Sequence, residues 1–371
     1  MRKCNGRSKE TATLHHNQIK VMTHKIRIGV LGASGYTGSD LVRLAANHPN
    51  IEIAALTANS HAGKPLSAVF PHFHMLDLPD LVTWEDVNWS GIDAVFCGLP
   101  HGTTQDVTKA IYSTSDTIKI IDMSADFRLR STATYAEWYG LEHRAPDLQP
   151  DAVYGLSEHY REDIKNARLV ACPGCYPTAT LLGIVPVLKD GVILSEDLIV
   201  DAKSGITGAG RGLKQAMLFA EAGEGLSPYA IGKHRHAPEI EQEVSAASGA
   251  PATVNFTPHL IPMSRGELCT IYAKLAPGKT ADDVRVSLEN TYENEAFVNV
   301  AAPGVFPQTQ MVRGSNYCVI NIFPDRIPGR VIIISTLDNL VKGSAGQALQ
   351  NFNLAFGLHE TLGLKQLPLF P

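Results

Sequence analysis

Two cysteines, Cys172 and Cys175, have the spacing and surroundings of residues that carry out chemistry. The C-x-x-C spacing is compatible with half of a zinc site, with a redox dithiol, or with a single nucleophilic thiol. A zinc site needs a second pair of ligands, and the chain offers two His-x-His pairs but no second C-x-x-C. A dithiol is typical of a small redox domain, which this long chain is not.

The third interpretation makes Cys175 the nucleophile, because the apolar segment 176–188 that follows predicts a helix. A helix N-terminus lowers the pKa of a thiol and supplies backbone N–H groups to an oxyanion. Cys172 is then a small hydrophobe at a strand end. Oxidation to a Cys172–Cys175 disulfide, which would silence the protein, is a further hypothesis.

A glycine-rich turn, Gly32-Ala33-Ser34-Gly35-Tyr36-Thr37-Gly38, is the second candidate site. It follows a β-rich run at 26–31 and precedes a helical pattern at 39–47. Glycines in such a turn let the backbone approach a pyrophosphate, which then lies at the helix N-terminus. The spacing departs from G-x-G-x-x-G by one residue, so an ordinary β–α turn is the alternative.

The segment after the next predicted strand, 51–56, indicates which dinucleotide binds. NAD-binding proteins usually place an acidic residue there to accept hydrogen bonds from the ribose. Residues 53–76 contain no Asp or Glu. The polar side chains present would suit a 2′-phosphate, so we predict NADP; they are Thr57, Asn59, Ser60, His61 and Lys64.

Alternating strands and helices must position these residues. In the first part of the chain we predict strands at 26–31, 51–56, 93–97 and 118–122, with helices at 39–47 and 104–112. This alternation predicts an α/β fold with a Rossmann-type, doubly wound parallel sheet.

The second part predicts an α+β domain with a mixed or antiparallel sheet. We expect strands at 169–172, 198–202, 253–257, 268–275, 317–323 and 331–335, and helices at 176–188, 238–248 and 280–292. A last, amphipathic helix at 343–362 is expected to pack back on the first domain. The predicted division is a disordered extension at 1–24, an NADP-binding domain at 25–171 with 340–371, and a catalytic domain at 172–339.

Composition excludes several function classes. The 371 residues carry a formal net charge of −5 with no basic block, which argues against a nucleic-acid partner. No apolar run approaches the ~20 residues of a membrane span. Six cysteines are too few for a disulfide scaffold, so we expect a soluble protein in a reducing, cytoplasmic compartment.

Seven segments, in this order, resemble the N-acetyl-gamma-glutamyl-phosphate reductases of the aspartate-semialdehyde dehydrogenase superfamily. They are GASGYTG (32–38), SADFRL (124–129), VYGLSE (153–158), CPGCYPT (172–178), GKHRHAPEI (232–240), PHLIPMSRG (258–266) and LDNLVKG (337–343). The resemblance covers the chain from about residue 25 to its end.

This resemblance implies NADPH-dependent reduction of N-acetylglutamyl phosphate to N-acetylglutamate semialdehyde in arginine biosynthesis, with release of phosphate. Cys175 would form a thioester, His236 would act as the acid–base group and Glu239 would orient it. His234 is the alternative, because two histidines two apart in a non-helical segment are expected to point in opposite directions.

The resemblance also assigns binding residues. Those for the substrate are Arg128, Tyr154, Arg211, His234 and Arg265. Those for NADP are residues 32–38 with Ser60, Ser124, Ser204, Gly205 and Asn339. It implies a homodimer or homotetramer, with 172–339 serving also as the dimerisation domain, a small-molecule substrate and no metal ion.

One residue departs from the superfamily pattern. The position three before the nucleophile is often Asn there, whereas it is Cys172 in this chain. An oxyanion donor at that side chain is therefore lost, and backbone N–H groups remain. The alternative functions are a reductase of carrier-bound aminoadipyl phosphate in lysine synthesis, an aspartate-semialdehyde dehydrogenase, and a non-catalytic NADP-binding sensor.

Overall fold

Two seven-stranded sheets form the framework of residues 24–371, the part of the chain that the computed structural model describes. The predicted disordered extension therefore lies outside the described residues, apart from His24. Across residues 24–371, no helix is both long enough and apolar enough to cross a membrane.

The first sheet is wholly parallel, as predicted, with strand order β3-β2-β1-β4-β5-β7-β6. Its strands are β1 Ile26–Leu31, β2 Ile51–Thr57, β3 Leu81–Val82, β4 Ala94–Cys97, β5 Lys119–Asp122, β6 Ala152–Tyr154 and β7 Leu169–Ala171. The helices of this part are α1 Tyr36–Ala45, α2 Thr104–Thr114, α3 Thr132–Tyr139 and α4 Ser157–Asn166. The order reverses between β1 and β4, and a crevice at such a switch point is where open α/β sheets bind ligands.

The second sheet is mixed, which confirms the predicted α+β character; its order is β12-β13-β14-β11-β8-β10-β9. Its strands are β8 Leu198–Gly205, β9 Ser227–Pro228, β10 Val254–Ile261, β11 Glu267–Lys274, β12 Val298–Val300, β13 Cys318–Pro324 and β14 Arg330–Leu337. The helices are α5 Cys175–Lys189, α6 Phe219–Ala222, α7 His236–Ser248 and α8 Ala281–Tyr292. A π-helical turn, Val341–Ala345, leads into α9, Gly346–Ala355.

Helix α5 is the central element of the hydrophobic core that covers the second sheet, called here the second core. Every residue from Tyr176 to Leu188 is buried, which explains the unbroken apolar run in the sequence. The helix packs against strands β11 and β14 and against helices α7 and α8. Because β7 and α5 are separated by only three residues, the N-terminus of α5 lies at the carboxyl edge of the first sheet.

Three helices begin earlier than predicted. Helix α1 starts at Tyr36 rather than residue 39, α5 at Cys175 rather than 176, and α7 at His236 rather than 238. Gly35 and Gly174, both extended, are the N-cap residues of α1 and α5. Apolar periodicity marks a helix from its first buried residue, so the polar first turn carrying the functional groups was missed.

The expectation of an amphipathic helix at 343–362 was wrong. Helix α9 ends at Ala355 and all ten of its residues are buried. Its polar side chains bond to other elements: Asn351 Nδ2 donates to the Gly155 carbonyl at 2.7 Å, and Gln347 Nε2 donates to the same carbonyl at 2.9 Å. These amides look like a solvent-facing stripe in the sequence, but α9 packs against α1, α4 and β5.

A fully buried ion pair fixes the π-helical turn. Lys342 Nζ lies 2.6 Å from Glu158 Oε1 and 2.8 Å from Gln350 Oε1, and neither charged side chain is exposed. Such a pair repays its desolvation only when further hydrogen bonds accompany it, as they do here. The pair ties the turn, and with it Gly343, to helix α4.

Candidate active site

A cavity of about 490 Å³ opens at the switch point of the first sheet and is lined by half of the predicted site residues, among them Cys175 and His236. It is bounded by the glycine turn, the loop after β4, the N-termini of α5 and α7, the loop after β8 and the segment after β14. Its wall includes Gly32, Ser34, Gly35, Tyr36, Thr37, Gly98, Leu99, Pro100, Met123, Arg128, Gly174, Cys175, Thr207, Gly208, Arg211, His236, Asn339, Gly343 and Ser344.

The glycine turn has the backbone geometry that a dinucleotide site needs. Gly32 has φ +77°, and a Cβ there would lie 2.5 Å from the Gly98 carbonyl oxygen. The turn is fixed to β2, since the Ala33 N–H donates to the Thr57 carbonyl at 2.9 Å. It leads directly into α1, whose N-terminus faces the cavity and can accept an anion.

The structure divides the predicted cofactor residues. Residues 32 and 34–37 and Asn339 line the cavity, whereas Ala33 and Gly38 are buried behind it. Gly205, at the end of β8, is also buried and absent from the wall. Ser60 is exposed beyond β2 and outside the cavity wall. Ser124 accepts a hydrogen bond from the Asp126 N–H, and Ser204 is buried at the end of β8, so both support the wall from behind.

Cys175 is the first residue of α5 and reaches the cavity. The Tyr176 N–H faces its sulfur, an interaction that favours the thiolate, but burial and the neighbouring Glu267 carboxyl raise the pKa of the thiol. A Cβ built on Gly343 would lie 2.7 Å from the Cβ of Cys175. Glycine is therefore required where the π-helical turn packs on the nucleophile.

Cys172 occupies a different environment. Its side chain belongs to the core of the first sheet, where Asn351 Nδ2 lies 3.5 Å from its sulfur. Burial raises the pKa of Cys172 to about 12. Cys175 packs against the second core, and both cysteines are free thiols. The structure therefore gives no support to the hypothesis of a regulatory disulfide.

The two predicted histidines lie together, not in opposite directions as expected. The His234 and His236 rings have centroids 4.7 Å apart, and the His236 N–H donates to Nδ1 of His234 at 3.1 Å. The reason is that His236 begins α7, so the backbone bends between them. Only His236 of the two lines the cavity wall; His234 packs behind it against Tyr176.

Burial, together with His234 and Arg128, lowers the pKa of His236. The imidazole is consequently neutral at pH 7. Its ring packs over the backbone of Gly174, one residue before Cys175.

Glu239 makes no hydrogen bond to His236 among the described residues, so its bonds do not provide the orienting role that was predicted for it. Its Oε1 accepts hydrogen bonds from the Gly174 N–H at 2.9 Å and the Tyr154 hydroxyl at 2.8 Å. Its other oxygen lies 3.5 Å from Arg128 Nη1. Glu239 thus holds the backbone just before the nucleophile, and Tyr154 is bound to Glu239 away from the cavity wall.

Two family models match this chain. The first, described as "Semialdehyde dehydrogenase, NAD binding domain", matches residues 27–167. The second, described as "Semialdehyde dehydrogenase, dimerisation domain", matches residues 175–339.

Curated relatives extend the match to nearly the full length. A probable N-acetyl-gamma-glutamyl-phosphate reductase, chloroplastic, of Arabidopsis thaliana is 56% identical over 93% of this chain and 86% of its own length. N-acetyl-gamma-glutamyl-phosphate reductases of Afipia carboxidovorans and Rhodospirillum rubrum are 53% and 52% identical, covering 93% and 94% of this chain and 99% and 100% of their own. The chain belongs to the N-acetyl-gamma-glutamyl-phosphate reductase family.

Solved structures of other semialdehyde dehydrogenases share the fold of this family member. Aspartate semialdehyde dehydrogenase II of Vibrio cholerae, complexed with ASA, aligns with a TM-score of 0.69 at 14% identity, over 90% of this chain and 99% of that one. The Candida albicans enzyme with NADP aligns with a TM-score of 0.65 at 17% identity, over 89% and 98%.

The arginines of this reductase-family chain have separate positions. Arg128 and Arg211 line the cavity. Arg128 Nε also donates to the Cys172 carbonyl at 2.7 Å, whereas Arg211 is exposed and stacks 5.0 Å from the Phe70 ring centre. Arg265, predicted to bind substrate, is absent from the cavity wall because it pairs with Asp40 at 2.7 Å and Asp338 at 3.4 Å.

Sequence reasoning missed Glu267, which lies behind Cys175 at the start of β11. The available signal was the alternation in β11, where Glu267, Cys269, Ile271 and Ala273 share the buried face. An acid in such a register position is unusual and indicates a special environment. The loop residues Leu99 and Pro100 were also missed, although they follow β4 at the switch point.

No group of three or more His, Cys, Asp or Glu side chains among residues 24–371 is arranged to hold a metal ion. The two His-x-His pairs considered for a zinc site provide no such cluster in this range.

Two of the three arginines predicted to bind substrate, Arg265 and Arg211, should differ in their effect on stability. We expect Arg265→Met to lower the free energy of unfolding by about 2–3 kcal/mol, because it removes a guanidinium that pairs with the buried carboxylates of Asp40 and Asp338. The expected loss is at or below the low end of the range of destabilisation found when buried ion pairs are broken. The reason is that Asp40 still pairs with Arg43 and that Asp338 still accepts hydrogen bonds from backbone N–H groups. Arg211→Met should be nearly neutral. Urea unfolding of both variants checks this, and equal losses would contradict the assignment.

Proposed function

We propose that this chain catalyses the NADPH-dependent reduction of N-acetyl-gamma-glutamyl phosphate to N-acetylglutamate semialdehyde, with release of phosphate, in arginine biosynthesis. The observation that carries this proposal is one cavity containing both a dinucleotide-type glycine turn and the α5 N-terminal thiol of Cys175. The relatives named for this reductase, matched over nearly the whole chain, support the substrate.

In the proposed mechanism Cys175 Sγ attacks the acyl carbon of the acyl phosphate. A C–S bond forms, the C–O bond to phosphate breaks, and the acyl group stays on the enzyme as a thioester. A thioester accepts hydride far more readily than a carboxylate, so covalent catalysis divides one difficult step into two easier ones. Backbone N–H groups at the start of α5 stabilise the developing oxyanion, since Cys172 provides no side-chain donor.

His236 is the proposed acid–base group. Its neutral imidazole lies at the cavity wall beside Gly174, where it can donate an N–H to the thiohemiacetal oxygen formed by hydride addition. In the reverse direction it accepts the proton of that oxygen. Glu239 acts indirectly, through the backbone of Gly174.

For substrate binding we propose the two arginines of the cavity wall, Arg128 and Arg211. A guanidinium meets a carboxylate or phosphate with two parallel hydrogen bonds, and Arg211 has an exposed guanidinium next to the glycine turn. Arg128 has donors left after its contacts with backbone carbonyls. Tyr154, His234 and Arg265 support the site from behind the wall.

NADP is the proposed form of the cofactor, bound with its pyrophosphate at the α1 N-terminus. The glycine turn and the residues at 34–37 would hold it, and the bound cofactor supplies the hydride. The hydrogen bond from the Ala33 N–H to the Thr57 carbonyl brings the end of β2 next to the glycine turn. Because residues 53–76 contain no Asp or Glu, no carboxylate there would repel a 2′-phosphate, which supports NADP.

The domain division remains a proposal, with 25–171 and 340–371 forming the NADP domain and 172–339 the catalytic domain. A homodimer or homotetramer formed through the second domain is supported by the description of the matching family model and by exposed apolar side chains at Leu213, Phe219 and Ile231. The five cysteines within residues 24–371 are all free thiols, which supports a reducing compartment such as the cytoplasm.

A coupled assay tests the proposed reaction directly. In the reverse direction, N-acetylglutamate semialdehyde should support NADP reduction only when phosphate is present. NADPH should exceed NADH in kcat/KM by roughly ten- to a hundredfold, the value of one charged contact to the 2′-phosphate. Activity with an aminoadipyl or aspartyl semialdehyde in place of the N-acetylglutamyl compound would contradict the substrate assignment. Equal kcat/KM values for the two coenzymes would contradict the cofactor assignment.

Substitution of the two histidines tests the acid–base assignment. We expect His236→Asn to lower turnover by roughly 10²–10⁴ and His234→Asn to have a smaller effect. Because the pKa of His236 is lowered, the base is lost only when pH falls below 6.5 and His236 becomes protonated. The reverse reaction should therefore show a limb on the acid side of pH 6.5, absent in His236→Asn. A larger effect of His234→Asn would exchange the two roles.

A further inference from the structure

The carboxyl group of Glu267 is buried behind the nucleophile without a conventional partner. The side chain has no exposed surface, and neither oxygen makes a hydrogen bond of normal geometry to the described residues. A buried polar group in this state costs free energy, and an ionised one costs more. Among residues 24–371, Glu267 is the only carboxyl group with both oxygens in this state, and it neighbours Cys175, which points to a use for the group.

The register of the second sheet determines where Glu267 points. Glu267 lies opposite Leu337 on β14 and Ser204 on β8, at the edge from which the sheet meets the cavity. Its side chain shares the buried face of β11 with Cys269, the face on which α5 packs. The carboxyl consequently faces Cys175, close enough for each group to perturb the pKa of the other.

The surroundings keep the thiol beside this carboxyl. The backbone of Gly343 packs directly on the Cβ of Cys175, so the side chain has no room on that side. The remaining directions lead to the cavity, where the acyl carbon would arrive, and to Glu267. Sulfur thus lies between an incoming electrophile and a carboxyl group.

Burial raises the pKa of Glu267 to about 8, while the contact with Cys175 acts in the opposite direction. The carboxyl therefore exchanges its proton near physiological pH, as a proton acceptor must. The titratable groups facing the pair from the surrounding elements are Tyr176 on α5, Cys269 on β11, Cys318 on β13, Asp338 after β14 and Tyr229 after β9.

We propose that Glu267 is the catalytic proton acceptor for the thiol of Cys175. The proposal rests on the proposed function and adds a step to it. As Sγ forms its bond to the acyl carbon, the thiol proton moves to the Glu267 carboxylate and the bond to the phosphate oxygen breaks. When the thiohemiacetal later collapses to the aldehyde, the thiolate leaves and recovers the same proton. The pair thus begins and ends each cycle with one proton.

A proton acceptor of this kind has a signature that a packing residue lacks. A carboxylate beside the thiol opposes formation of a free thiolate, because two negative charges would then be adjacent. It accelerates the attack only by taking the proton during bond formation. Removing its charge should therefore make the thiol more acidic and yet slower to be acylated.

The variant Glu267→Gln tests this, because it keeps the side-chain shape and removes the proton acceptor. Glu243→Gln is the matched control, another buried glutamate, on α7, that interacts with Tyr160 and Arg130. Two rates are measured across pH 6–10 on the full chain. One is alkylation of Cys175 by iodoacetamide, which reports the free thiolate. The other is the single-turnover release of phosphate from N-acetyl-gamma-glutamyl phosphate without NADPH, which reports acylation.

For Glu267→Gln we expect the alkylation profile to shift to lower pH by roughly one unit or more. Acylation at pH 7 should be at least about 100-fold slower than in the wild type and should approach it at high pH, where the thiolate forms unaided. In the wild type, acylation should rise with pH through a limb near 8, and this limb should be missing in Glu267→Gln. Glu243→Gln should match the wild type in both rates.

Unchanged alkylation and acylation in a folded Glu267→Gln protein, judged by NADPH binding and thermal unfolding, would overturn the proposal. Slower acylation without a shift of the alkylation profile would also overturn the proposal, since a structural disturbance of the site would then be enough to explain the slower rate. If the wild type releases no phosphate from this substrate, the proposed function itself fails. An alkylation shift in that case would still establish the proton link between Glu267 and Cys175.

Discussion

Three contacts from separate elements hold the short passage from β7 to α5. Arg128 donates to the Cys172 carbonyl, Glu239 accepts from the Gly174 N–H, and the backbone of Gly343 packs on Cys175. Arg128 and Glu239 are both buried. The attraction between their charges offsets the free-energy cost of removing them from water only because further hydrogen bonds satisfy both groups. These three contacts determine the position of the Cys175 sulfur and of the N-terminus of α5. A change in any of the three contacts would move sulfur relative to the cofactor turn.

The π-helical turn that packs on Cys175 also connects the two sheets. The π-helical turn that carries Gly343 is fixed by the buried Lys342–Glu158 pair, and α9 after it lies within the first part of the fold. Arg265 forms a second link, from the start of β11 to Asp40 on α1. The elements that form the cavity walls are therefore held in position by ion pairs, and the charged groups of these pairs are not available to bind a ligand. This arrangement explains why Arg265, an arginine inside a family motif, is absent from the cavity surface.

Much of this architecture was predictable from sequence because it depends on local pattern. The β-rich runs, the glycine turn and the Cys175 helix were placed to within a few residues, since apolar periodicity and turn residues determine them. Features that depend on long-range packing were not. The burial of α9 and the attachment of Glu239 to Gly174 both depend on residues far apart in sequence. The contact of His234 with His236 is local, but it follows from the start of α7 at His236, which apolar periodicity did not show. Glu267 was visible only as an acid in an alternating strand, and its proximity to Cys175 required the register of β11 against α5.

In the proposed mechanism Cys175 alone carries the acyl group. The most direct measurement is mass spectrometry of the protein incubated with N-acetyl-gamma-glutamyl phosphate and no NADPH, followed by peptide mapping. One N-acetylglutamyl adduct should appear on Cys175, persist in Cys172→Ala and be absent in Cys175→Ser, with NADPH binding retained in both variants. An adduct on Cys172, or comparable loss of the adduct in the two variants, would contradict the account.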